Sequence, residues 1–197
     1  MIGIIDYNMG NVGSVESMIN FLGYSDTKII STPQELSEVD KIILPGVGSF
    51  DNGISSLKAT GMLKELNKQV ITNSKYILGI CLGMQLFMEK SEEGKLKGLG
   101  WIEGECKKFL FNDKKLKIPH MGWNIANPTK KSLCVSSRFY FVHSYYVKCS
   151  PKYTMLETTY GITFPSGISK NNIFGVQFHP EKSHKHGMEL IQNFINL

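Results

Sequence analysis

Four short apolar runs, MIGIID, TKIIS, KIILPG and YILGI, punctuate the first half of the chain. Such runs, bounded by turn residues, suit strands buried on both faces. The stretches between them carry helical signals. Val15, Met18, Ile19 and Leu22 recur at i, i+3, i+4 and i+7, and Gly23 is placed to end that helix. TPQE has the capping-box pattern, with Thr32 at the N-cap, Pro33 at the first helical position and Glu35 two further on. Residues 51–59 and 61–73 read as two more helical stretches, and LGMQLFMEK as the helix that follows the fourth run. Strands alternating with helices predict a parallel sheet with helices on both faces.

The second half has a different pattern. CKKFLFNDKKLKI reads as a hairpin around Asn112 and Asp113, and RFYFVHSYYVKC, YTMLETTY and NIFGVQF favour strands. In HGMELIQNFINL, Met188, Ile191, Phe194 and Ile195 fall on one helical face. The expectation is one α/β domain spanning residues 1–197, mostly parallel in its sheet with antiparallel additions in the C-terminal half. A length of 197 residues, 42% of them hydrophobic, is enough for a substantial core.

Composition excludes several classes. No apolar run approaches the roughly 20 residues that span a bilayer, and the N-terminal run lacks the basic flank of a signal peptide. The net charge of +5 comes almost wholly from scattered lysines, Arg138 being the single arginine, so nucleic-acid binding has little support. The four cysteines show no C-x-x-C spacing, which argues against zinc and for reduced thiols in the cytoplasm. No cofactor is expected.

Three stretches carry chemistry. In GICLG (79–83) a strand runs into a cysteine between two glycines. Cys81 is then either a small core residue in a tight turn or the nucleophile of a sharp strand-to-helix elbow. In the second case the backbone N–H of Leu82 points where an oxyanion would form, and the helix N-terminus favours thiolate. A thiol nucleophile needs a base. Of five histidines, His179 ends the strand GVQF on the sheet edge where open α/β sheets bind ligands, and Glu181 is placed to orient it. PGVGSF (45–50) leaves another strand on that edge and offers a second oxyanion donor. The combination points to acyl transfer through a thioester.

DYNMGN, PGVGSF, GICLGMQLF, PHMGWN, FYFVHSYY and FGVQFHPEKS, spread over residues 6–183, resemble the class I glutamine amidotransferases. Within them the closer likeness is to the glutaminase subunits of imidazole glycerol phosphate synthase, the HisH family. The resemblance implies that Cys81, His179 and Glu181 form the triad and that L-glutamine is the substrate. It assigns glutamine contacts to Gln85, Gly48, Ser144 and Tyr145, and a reorienting oxyanion amide to Val47. It also implies a HisF-type synthase partner that uses the ammonia to form imidazole glycerol phosphate and an aminoimidazole ribotide. Asn11, Met121, Trp123 and Tyr140 fall in motifs that line that interface. Two departures are visible: Asn8 stands where the family usually has glycine, and the tail EKSHKHGM differs from the commonest version. Asn tolerates positive φ better than most residues, so the turn is expected to survive. Both departures resemble family paralogues that supply ammonia to a sugar amidotransferase in surface-glycan pathways. A stand-alone cysteine hydrolase on the same fold is the remaining alternative.

Overall fold

A computed structural model describes residues 1–113 and 115–197. The first half runs β1 (Ile2–Ile5), α1 (Val12–Phe21), β2 (Thr27–Ile30), β3 (Lys41–Gly46), α2 (Phe50–Ala59), α3 (Met62–Asn67), β4 (Tyr76–Cys81), α4 (Leu82–Gln85) and β5 (Lys90–Ser91). The second half adds β6 (Gly104–Lys108), β7 (His120–Pro128), β8 (Ser137–His143), β9 (Tyr145–Cys149), β10 (Thr154–Tyr160), β11 (Ile162–Lys170), β12 (Ile173–Val176) and α5 (His184–Ile195).

Nine strands form one sheet in the order β2-β1-β3-β4-β12-β11-β10-β7-β8. From β2 to β12 the pairings are parallel, and from β12 to β8 antiparallel. The parallel half is buried between helices because its residues alternate between two cores. Ile42, Leu44 and Ile77 face Ile54 and Leu57 of α2 and Met62 and Leu66 of α3. Ile43, Leu78 and Ile80 face Val15, Met18 and Ile19 of α1 and Leu190, Ile191 and Phe194 of α5. The small sheet β5-β6-β9 sits beside them. Among the described residues no helix is long and apolar enough to cross a membrane.

Local signals act as their chemistry dictates. The Glu35 carboxylate accepts the backbone N–H groups of Ser31 and Thr32, although the segment it caps is a single 3-10 turn, Pro33–Ser37. These bonds, the larger from Thr32, and the Lys28 ammonium hold the Glu35 carboxyl down at about 2. Gly23 closes α1 at φ +87°. Asn8 adopts φ +63°, with its N–H on Asp6 Oδ1 at 3.1 Å, so the turn after β1 forms without glycine.

Two expectations need correction. The helix after β4 is only four residues long, Leu82–Gln85. Its continuation is diverted because residues 98–102 return along it: N–H groups of Leu99, Trp101, Gly100 and Gly98 bond the carbonyls of Leu86, Phe87, Met88 and Glu89. The second correction is the hairpin around Asn112 and Asp113, whose turn includes Lys114, outside the described residues. Among the described residues its arms do not pair. β6 takes β5 and β9 as neighbours. Asp113 folds the chain locally, accepting from Lys115 and Leu116, and Lys117 is tied to the Tyr160 hydroxyl. β7 and β11 are strands that hydrophobic runs did not reveal. β7 mixes exposed Met121, Trp123 and Ile125 with glycine and asparagine, and β11 carries Pro165.

The glycines of the elbow are required by space. A Cβ on Gly79 would lie 2.6 Å from Phe87 Cζ and 2.7 Å from the Gly83 carbonyl carbon, and one on Gly83 would lie 2.0 Å from the Leu44 oxygen. Gly83→Ala must therefore push α4 off β3. The expected cost is about 3 kcal/mol, seen as a Tm lowered by about 6–12 °C in thermal unfolding. An unchanged Tm would contradict this packing.

Candidate active site

β3, β4 and β12 are adjacent and parallel, so their C-terminal ends open on one edge of the sheet. β3 ends in the Gly46–Val47–Gly48 turn, β4 in Cys81, and the segment that follows β12 carries His179, three residues past the strand end and bridged to Tyr140. Cys81 lies at φ +54° and ψ −106°, a left-handed conformation that a non-glycine residue adopts only under constraint. The strand enters and the helix leaves at a sharp angle there, which lifts the side chain above the edge. With α4 only four residues long, its dipole is a small source of positive charge at the thiol. Neighbouring side chains supply the polarity instead.

His179 Nδ1 lies 2.7 Å from Glu181 Oε1, and both side chains are nearly fully buried. Burial opposes a charged imidazole, but Cys81 and Glu181 on its two sides outweigh that and raise its proton affinity well above the ordinary value. Among the described residues His179 Nε2 makes no hydrogen bond that would commit it, so it is available to exchange a proton with the thiol and with a leaving group. The main chain fixes the ring as well: His179 N–H donates to the Tyr140 carbonyl at 2.9 Å, and Ser183 Oγ donates to the His179 carbonyl.

A cavity of about 310 Å³ opens over the thiol. Its wall includes Cys81, His179, Leu82, Val47 and Gly48, together with Gln85, Ser144 and Tyr145. These are the residues to which the elbow reading and the family resemblance assign catalysis, oxyanion donation and glutamine contact, apart from Glu181 behind the histidine. Two cavity features were not foreseen. Among the described residues Glu93 is the only acid lining the wall; one of its oxygens holds the Phe50 N–H at 2.8 Å. His143 lies on the wall and hydrogen-bonds Tyr145. Among the described residues no group of three His, Cys, Asp or Glu side chains is placed to hold a metal ion.

Buried polar groups form a chain with settled proton positions. The Tyr145 carbonyl can only accept, and it receives Gln85 Nε2 at 3.0 Å and His143 Nδ1 at 2.8 Å. His143 Nε2 is then an acceptor for His120 Nδ1–H at 3.0 Å, and His120 Nε2 accepts from Asn124 at 3.2 Å. Both rings are neutral in this arrangement. The second Gln85 proton reaches Gln177 Oε1 at 3.0 Å, which leaves Gln85 Oε1 as the atom offered to the cavity.

The residues expected at an interface have different surroundings. Met121 is 61% exposed and Trp123 40%, both on β7, while Tyr140 on β8 is half-buried against Trp123. Asn11 is exposed and caps α1, its Oδ1 accepting the Ser14 N–H.

The histidine pair sets an acid limit. Burial depresses His120 to about 4 and His143 to about 3. Both lie below the unfolded value near 6.5, so the unfolded chain takes up protons that the folded chain refuses as pH falls through 6 toward 4. The contribution of this pair is fully present well above pH 6.5 and is lost as pH falls through 6, approaching ~1.4 kcal/mol per pH unit for each ring, while the raised His179 acts in the opposite sense only above about pH 6.5. Urea midpoints measured from pH 7.5 to 5 check this, and a flat profile would contradict it.

The class-I glutamine amidotransferase family model matches residues 4–197. The chain is 54% identical to "Imidazole glycerol phosphate synthase subunit HisH 2" of Methanococcus maripaludis, over 99% of this chain and 98% of that protein. It is 46% identical to subunit HisH 1 of Campylobacter jejuni over the full length of both. A solved glutamine amidotransferase superposes with a TM-score of 0.78 at 16% identity, covering 99% of this chain and 97% of that one. Thermotoga maritima PurLQS superposes with a TM-score of 0.74 at 17% identity, covering 99% and 97%. The structural likenesses carry the fold, the sequence matches carry the family, and by them the chain belongs to the class I glutamine amidotransferases.

Proposed function

We propose that the chain is the glutaminase subunit of an imidazole glycerol phosphate synthase, hydrolysing L-glutamine and passing ammonia to a HisF-type synthase subunit in histidine biosynthesis. The observation that carries this reading is the Cys81 elbow facing a His179–Glu181 pair bonded at 2.7 Å, inside a cavity that also holds Gln85 and Glu93. The full-length match to synthase subunits supports the partner.

The chemistry follows from these groups. Cys81 gives its proton to His179 Nε2, and the thiolate attacks the carboxamide carbon of glutamine. The oxyanion is held by the backbone N–H groups of Leu82 and Val47. His179 returns the proton to the departing nitrogen as the C–N bond breaks, releasing ammonia and leaving a γ-glutamyl thioester on Cys81. Water then attacks with His179 as base, and glutamate leaves as the C–S bond breaks. Glu181 keeps the imidazole oriented and stabilises its charged form. Glu93 faces the same cavity as the thiol and suits the α-ammonium of glutamine, with Gln85 Oε1 as a second acceptor.

Ammonia is mostly protonated at neutral pH and then cannot act as a nucleophile, which is the reason to deliver it through a closed interface. Met121, Trp123 and Ile125 form an exposed apolar stripe on β7, with Arg138 over the Trp123 ring. The neighbouring Tyr140 carbonyl holds the His179 N–H, so a partner seated on these strands touches the main chain that fixes the base. The four free thiols fit a reducing cytoplasm.

Three outcomes are expected. Cys81→Ala should lower glutamate release by at least about 10³-fold, and a fully active variant would refute the thioester. Glu93→Gln should raise KM for glutamine about tenfold with kcat little changed. The synthase subunit should stimulate glutaminase about tenfold or more. Full activity in its absence, with no preference for glutamine, would favour a stand-alone hydrolase. Co-purification with a sugar amidotransferase in place of the cyclase would redirect the ammonia.

A further inference from the structure

Gln177 is fully buried, and no cavity residue explains why a primary amide should stand there. It follows β12, two residues before His179, and side chains two apart on extended backbone share a face. Its neighbours Val176 and Phe178 point the other way, into the core of α1 and α5. Gln177 and His179 therefore approach the thiol together. A buried amide is costly unless its donors and acceptor are used.

Those bonds define the orientation of Gln177 without ambiguity. The Tyr145 carbonyl, an acceptor only, turns the Gln85 amide so that Nε2 faces it. The second Gln85 proton points at Gln177, so the atom that meets it must be Oε1, at 3.0 Å. The Gln177 amide nitrogen is thereby directed to the opposite side, where Nε2 lies 3.6 Å from Cys81 Sγ. A sulfur with an N–H aimed at it gains more as thiolate than as thiol, because a charged acceptor strengthens the bond.

We infer that Gln177 is a catalytic residue of the thiol centre: its amide N–H holds the Cys81 thiolate opposite His179, in an orientation dictated through Gln85 by the Tyr145 carbonyl. The inference deepens the glutaminase reading and rests on it for its catalytic meaning. When the thiol proton passes to His179 Nε2, the negative charge left on sulfur has a donor already in place. As the sulfur bonds to the glutamine carbon, its charge moves to the oxyanion and the N–H···S bond weakens. Gln177 thus raises the thiolate fraction and tempers the nucleophilicity of each thiolate, two effects of opposite sign on rate. The other titratable groups facing the thiol are His179 and Tyr7, and His179 in turn faces Glu181 and His143.

The test is alkylation of Cys81 by iodoacetamide across pH, in the full chain, followed by mass spectrometry of the peptide that contains Cys81. Gln177→Met keeps the length and removes the donor. The pH at which alkylation reaches half its plateau should rise by about one unit, and the plateau rate should rise about threefold. A merely structural role would move neither quantity. Gln177→Asn, which withdraws the amide by one methylene, should shift the midpoint in the same direction by less, and serves if the Met variant is too unstable. With the synthase partner bound, glutaminase kcat of the Met variant at neutral pH should fall severalfold. Folded variants that keep the wild-type midpoint and plateau would overturn the inference. Alkylation reads the thiol without glutamine, so a wild-type chain that alkylates normally but never hydrolyses glutamine would sink the glutaminase reading and leave this one standing.

Discussion

The backbone of Cys81, at φ +54° and ψ −106°, is the constraint on which the rest of the site depends. Such a conformation costs about 1–3 kcal/mol and persists only where packing over-determines it. Here β3 and β12 clamp β4 from both sides, and Gly79 and Gly83 let Phe87 and the Leu44 carbonyl close around the turn. The parallel half of the sheet is thus more than a scaffold. It brings three strand ends together and fixes the angle at which the thiol leaves the edge.

Polar groups around that turn are either fully committed or deliberately free. Two runs of donors meet at the Tyr145 carbonyl: Asn124 through His120 and His143 donates to it from one side, and Gln85 donates to it from the other while passing its second proton to Gln177, whose amide reaches Cys81. Such a satisfied network rigidifies its surroundings. Three buried side-chain atoms among the described residues lack partners: His179 Nε2, Glu181 Oε2 and the Tyr7 hydroxyl. An unpaired buried polar atom costs roughly 1–3 kcal/mol. All three stand around the proposed thiol centre. Nε2 is the atom to which the proposed reaction gives the thiol proton, and the Tyr7 hydroxyl reaches the Gly46 end of β3, 2.6 Å from where a Cβ on Gly46 would lie. The cost falls where chemistry needs open valences.

The sequence was most legible where one element determined the outcome. Strands β1 to β4 announced themselves as apolar runs, and their alternation with helices implied the parallel half. GICLG marked the elbow because crowding at a sharp turn admits only glycine on either side. His179 could be chosen among five histidines because it ended a strand. What depended on distant pairing was hidden. The short α4 is set by the return of residues 98–102, and β7 and β11 were hidden because β7 carries its apolar residues Met121, Trp123 and Ile125 on the exposed face and β11 carries Pro165 within the strand. Gln177 is 96 residues from Cys81 and 92 from Gln85, so no local pattern could relate them. Glu93 escaped notice because a single acid in a polar loop resembles any surface carboxylate.

In the proposed reaction Cys81 carries the acyl group of glutamine during turnover. The direct measurement is intact-protein and peptide mass spectrometry of the chain, mixed with glutamine and its synthase partner and quenched in acid within the first turnovers. A γ-glutamyl adduct confined to the peptide containing Cys81 is expected, formed and lost as glutamate accumulates. Glutamate accumulating with no adduct at any time point, or an adduct on Cys149 instead, would contradict it.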